Sequence, residues 1–177
     1  MRMQAWPTLA AWGAGLIQLA TGAGMLTAGS GGAARPYGVV LTLTGAAALA
    51  WGVVWLSRAR HPRIGIGIAV AGLLLTTGAL AVDTAHVSVL AVTVAAALSA
   101  VAGASTAVIL RRRERQEPLP APAAPRASAP GAGMGGLLAA AVVVAALVTP
   151  ALASTEAGRL APDHGAHTFV IDHGHGH

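Results

Sequence analysis

Residues 64–82 read IGIGIAVAGLLLTTGALAV, nineteen residues without a charge, bracketed by Arg63 and Asp83. As an α-helix this stretch rises about 28 Å, close to the thickness of a bilayer hydrocarbon core. It offers no polar face that water could cover, which a surface helix of a soluble domain requires. The reading that follows is a membrane span.

Four more apolar segments lie outward from it, at about residues 8–28, 37–57, 87–110 and 134–153. Across the 177 residues 55% are hydrophobic and only 10% charged, against roughly 25% charged in a soluble domain. No stretch alternates with period two, so a β-barrel is disfavoured. Tyr37, Trp6, Trp12, Trp51 and Trp55 fall towards segment ends, where an interfacial aromatic belt would place them. The predicted fold class is therefore all-α integral membrane: a four-helix transmembrane bundle of two hairpins over residues 1–115, plus a fifth helix.

Charge placement gives the orientation. The chain has 11 Arg and no Lys, a usage that suggests GC-rich bacterial coding. Arg58, Arg60 and Arg63 lie between the second and third segments, and Arg111, Arg112, Arg113 and Arg115 follow the fourth. With Arg2 and Arg126, nine Arg against two Glu fall on one side of a five-span layout, a balance of +7. Arg35 and Arg159 against Asp83, Glu156, Asp163 and Asp172 give −2 on the other. Since arginine-rich loops stay inside, the N-terminus is expected in the cytoplasm and the C-terminus outside, in the cell envelope. The positive charge thus belongs to topology, and no nucleic-acid partner is expected.

Residues 116–133 form a linker with five prolines, Pro118, Pro120, Pro122, Pro125 and Pro130. It is expected to be extended and cytoplasmic, tethering the fifth span loosely. Residues 41–49 (LTLTGAAAL) resemble residues 90–98 (LAVTVAAAL), which suggests a duplicated hairpin. Small residues at four-residue spacing (Ala20 and Gly24, Ala48 and Gly52, Ser99, Gly103 and Ala107) point to close helix packing. Gln18 is expected to hydrogen-bond between helices. Thr42, Thr44, Thr76, Thr77 and Thr93 can bond back to their own helices. No ionisable residue falls near a span centre, which argues against a complete ion-driven transporter.

The C-terminal segment, residues 154–177, carries the sharpest chemical pattern. Five of the seven histidines lie in the last 14 residues: His164, His167, His173, His175 and His177, accompanied by Asp163 and Asp172. Neutral imidazoles beside carboxylates suit Zn, Cu(II), Ni or Co. The alternating glycines of His173-Gly-His175-Gly-His177 let neighbouring imidazoles turn onto one ion. The expected ligand set is His164, His167, Asp172, His173, His175 and His177. Asp83 and His86, in the outer turn between spans three and four, are candidates to complete it. The competing readings are adventitious binding by composition and a tail that titrates near neutrality.

The fifth span, residues 134–153, also resembles a signal peptide. An apolar run at 137–148 is followed by Pro150 and by Ala151-Leu152-Ala153, an A-x-A cleavage pattern. It is read as either an anchor or a site of cleavage after Ala153. No catalytic set emerges: Gly29-Ser30-Gly31-Gly32 lacks the lysine of a phosphate loop, and the chain is not expected to be an enzyme. Two functions remain. One is a metal-handling envelope protein. The other is an accessory subunit whose helices pack against a larger membrane complex or a second copy.

Overall fold

The computed structural model describes residues 5–28, 32–58, 62–115 and 131–161, which contain helices and no strand. The elements are α1 (Ala5–Thr27), α2 (Ala34–Arg58), α3 (Pro62–Val82), α4 (Val89–Arg115), α5 (Gly131–Ala153) and the single turn α6 (Glu156–Arg159). Helices α1 to α5 are each long and apolar enough to cross a membrane. The linker at 116–133 lies largely outside the described residues, with α5 beginning at Gly131 inside its expected bounds.

Local chemistry explains the helix starts. Pro7, Pro36 and Pro62 sit in the first turns of α1, α2 and α3, where a missing N–H costs nothing. Ser88 caps α4, its Oγ accepting from the Ala91 N–H at 3.4 Å. Pro150 does not end its helix. It lies in the last turn of α5, which continues to Ala153, and the Ser154 N–H still reaches the Pro150 carbonyl at 3.1 Å. A proline this late removes one bond and leaves only one turn to be disrupted.

Helix α1 is the centre of the packing, touching α2, α3, α4, α5 and α6. Its closest neighbour is α2, and glycine is the reason. A Cβ added to Gly15 would lie 2.9 Å from the Gly45 carbonyl oxygen, and one added to Gly45 would lie 2.7 Å from the Gly15 carbonyl oxygen. One turn-pair further along, Gly22 and Gly38 meet in the same reciprocal way, at 2.8 and 2.9 Å. These glycines repeat every seven residues on each helix, so an antiparallel pair stays in contact along its length. Close backbone approach supplies dispersion where lipid and side chains are equally apolar.

The small residues marked in the sequence also sit at contacts. Gly52 makes room for the Trp12 indole, Gly103 for Ala69, and Gly24 for Glu156. The duplicated-hairpin reading finds uneven positions: Leu41 is buried, whereas the aligned Leu90 is exposed. The fifth helix has its own contacts among the described residues. It lies against α1 and α4, with Val144 and Val148 occupying the space beside Gly13.

The aromatic residues depart from a simple belt. Trp6 is exposed, but Trp51 and Trp55 are buried in the packed interior, with ring centroids 5.2 Å apart. Trp12 donates its indole N–H to the Leu49 carbonyl at 3.2 Å, and Tyr37 donates its hydroxyl to the Leu75 carbonyl at 2.7 Å. Small neighbours leave space for large rings, and each of these two donors finds a carbonyl on another helix.

Arginine is concentrated at one end of the helices. At one end Arg63 pairs with Glu114 at 3.7 Å, and the Arg113 guanidinium lies 5.9 Å from the Trp55 ring centroid. At the other end lie Asp83, His86 and Glu156, joined by contacts between the α3–α4 turn and the end of α5.

Candidate functional site at the acidic end

The turn between α3 and α4 is short, and one carboxylate organises it. Asp83 Oδ1 accepts from the His86 backbone N–H at 3.3 Å and lies 2.9 Å from His86 Nδ1. The Val87 N–H donates to the Asp83 carbonyl at 3.2 Å, closing the turn. Asp83 is 8% exposed while its partner imidazole remains partly open, so the buried acid acts as a fixed base plate for the ring. With Nδ1 engaged by the acid, Nε2 is the nitrogen left to take a ligand. Asp83 Oδ2 is buried with no hydrogen-bond partner among the described residues. A carboxylate holding one nitrogen of an imidazole is the arrangement found behind metal-bound histidines.

Next to this pair stands the root of the C-terminal segment. Ser88, two residues after His86, donates its hydroxyl to Ser154 Oγ at 2.9 Å, and Ser154 Oγ donates to the Ala151 carbonyl at 2.7 Å. Thr155, buried, accepts from the Gly158 N–H at 3.1 Å and caps α6. The side chain of Glu156 meets Gly24 on α1. The chain therefore leaves the described structure, after Ala161, from the same end as Asp83 and His86.

Of the candidate ligands, Asp83 and His86 are brought together. His164, His167, Asp172, His173, His175 and His177 lie outside the described residues. Among the described residues no group of three or more metal-ligating side chains is gathered. Ser88 and Ser154 have no local signature, being serines 66 residues apart in the chain.

A second buried polar set lies inside the helices. Gln18 on α1 donates from Nε2 to Thr76 Oγ1 on α3 at 3.2 Å, and Thr76 donates to the Gly72 carbonyl at 2.6 Å. This is the interhelical bond expected of Gln18. The five threonines do bond back to their own helices: Thr42 to Gly38, Thr44 to Val40, Thr76 to Gly72, Thr77 to Leu73 and Thr93 to Val89.

Comparison of the chain with protein families, curated proteins and solved structures finds no match.

Proposed function

We propose that this chain is an integral membrane protein of five spans, N-terminus inside, that binds divalent transition metal on its extracytoplasmic face. The carrying observation is the juxtaposition at the acidic end. A carboxylate-held imidazole, His86 on Asp83, stands beside the Ser88–Ser154 contact from which the histidine-rich segment departs.

Reach supports the reading. Sixteen residues follow Ala161, where the described structure ends, a reach of at most about 55 Å, and they start from the same end as His86. The tail supplies the imidazoles His164, His167, His173, His175 and His177, with Asp172 beside them. The bundle supplies one ordered ligand and a buried negative charge. Zn, Cu(II), Ni or Co fits this nitrogen and oxygen donor set, and the chain has no Cys for softer ions. Holding the ion at the membrane face suits capture or transfer in the envelope, with lipid around the five helices.

The test is metal titration of the purified protein in nanodiscs, comparing the native chain with His173→Ala/His175→Ala/His177→Ala and with His86→Ala. Loss of tight binding in both variants supports a shared site. Affinity no better than that of a scrambled tail peptide would overturn it. The accessory-subunit reading would then lead, with co-purifying membrane subunits as its mark.

A further inference from the structure

Helices α1 to α4 meet around a small cavity of about 10 Å³, lined by Gln18, Trp51, Gly65, Ser99 and Ala102 among others. We infer that this cavity is a binding site for one water molecule, hydrogen-bonded by Gln18, Trp51 and Ser99, which joins α1, α2 and α4 inside the membrane.

Size and chemistry agree. A volume near 10 Å³ corresponds to about one water-sized probe, and a buried water needs two to four polar partners. Gln18 is 1% exposed and its Oε1 has no partner among the described residues; Trp51 is 7% exposed and its Nε1–H likewise has none. Ser99, 3% exposed, brings a hydroxyl from α4. A water molecule can donate to Gln18 Oε1 and accept from Trp51 Nε1–H at once. Its second hydrogen can reach the Ser99 Oγ.

The orientation of the Gln18 amide is fixed by its neighbour. Thr76 spends its hydroxyl hydrogen on the Gly72 carbonyl, so its lone pairs face Gln18 and require a donor there. Nε2 supplies that donor and Oε1 is left over. Glycine keeps the place open: a Cβ on Gly72 would lie 2.6 Å from Gln18 Nε2 and 3.5 Å from Ser99 Oγ, and a Cβ on Gly65 would overlap the Trp51 ring. In hydrocarbon no other solvent reaches these groups, so one trapped water is the remaining way to satisfy them.

The experiment is solid-state NMR of the ¹⁵N-labelled full chain in lipid bilayers, following magnetisation transfer from water to the indole N–H protons. Single Trp→Phe variants assign the four indole signals. The Trp51 indole should receive transfer several-fold stronger than Trp12, whose N–H is occupied by the Leu49 carbonyl at a similar depth. Equal transfer at the two, or none at Trp51, overturns the inference. In Gln18→Leu the Trp51 transfer should fall sharply, and an unchanged signal in a folded variant also overturns it. Should Gln18→Leu not fold, Ser99→Ala is read in the same way: a weakened Trp51 transfer supports the bridge and an unchanged one overturns it.

Discussion

Ser88 and Ser154, 66 residues apart, share a hydrogen bond of 2.9 Å that ties the start of α4 to the end of α5. The bond fixes the fifth helix at its last turn, and Ala151 beside it is fully buried. A peptidase needs accessible, extended backbone, whereas residues 151–153 are helical. We therefore expect α5 to remain an anchor. Intact-mass spectrometry of the membrane-extracted protein should show the chain uncut after Ala153. Ser88→Ala, which removes the bond to Ser154 and leaves Ala151-Leu152-Ala153 intact, should raise cutting there. A native chain recovered without residues 154–177 would refute the expectation.

The glycine contact between α1 and α2 makes a second prediction. Gly45→Ala places a methyl group 2.7 Å from a backbone carbonyl, which cannot rotate aside. The helices must separate, at a cost of about 1–3 kcal/mol by analogy with overpacked cores. Gly67→Ala serves as the control, because nothing lies within 4 Å of that position. Steric-trap unfolding in bicelles should show a loss for the first and little change for the second.

Much of this arrangement was legible in the sequence, for a physical reason. The long apolar helices follow from run length, and residues 64–82, uncharged throughout, lie within α3, which is long and apolar enough to cross a membrane. The pairing of faces is harder to read. In lipid the outward and inward faces are both apolar, so Leu43 outside and Leu41 inside carry no difference in polarity. The seven-residue spacing of Gly15 and Gly22, and of Gly38, Gly45 and Gly52, marks the α1–α2 contact more directly than the four-residue spacing of small residues. Trp51 and Trp55 lie where end-of-span aromatics are expected and yet face inward, since Gly65 and its neighbours leave a pocket for an indole. At the acidic end, Asp83 and His86 were legible as a close pair. The Ser88–Ser154 bond that brings the tail root beside them was not.

Hydrogen bonding inside the helices should matter less than backbone approach. Thr76→Val removes the acceptor for Gln18 Nε2, and interhelical bonds in lipid average about 0.6 kcal/mol, with a maximum near 1.7. We expect the same unfolding assay to show a loss in that range, smaller than for Gly45→Ala. A Thr76→Val loss exceeding that of Gly45→Ala would reverse the ranking of hydrogen bonding and packing in this fold.

Orientation is tested independently of any metal. The arginine-rich end carries Arg63, Arg111, Arg112, Arg113 and Arg115, and the opposite end carries Arg35 and Arg159 with Asp83 and Glu156. Reporter fusions after Arg63 and Arg115 should read cytoplasmic, and one at His177 should read external. A cytoplasmic reading at His177 would remove the five-span arrangement and the proposed metal site with it.

The last prediction separates the ordered pair from the tail. Asp83 holds His86 through Oδ1 at 2.9 Å, so Asp83→Asn keeps an oxygen acceptor and the turn but removes the negative charge behind the imidazole. Loss of such a supporting carboxylate weakens metal binding by about 10–100-fold where the histidine is a ligand. Titration of Zn and Cu(II) into the native chain and Asp83→Asn should show a drop of that order, with thermal stability measured alongside to exclude unfolding. Lowering the pH through about 6.5, the ordinary value for a free imidazole, should weaken binding further, because tail imidazoles must be neutral to coordinate. The two effects carry different information. A pH-dependent affinity that Asp83→Asn leaves unchanged places the ion on the tail alone and removes His86 from the set. A drop with Asp83→Asn that is matched by His86→Ala, and not deepened in the double variant, identifies the pair as one functional unit joined to the tail.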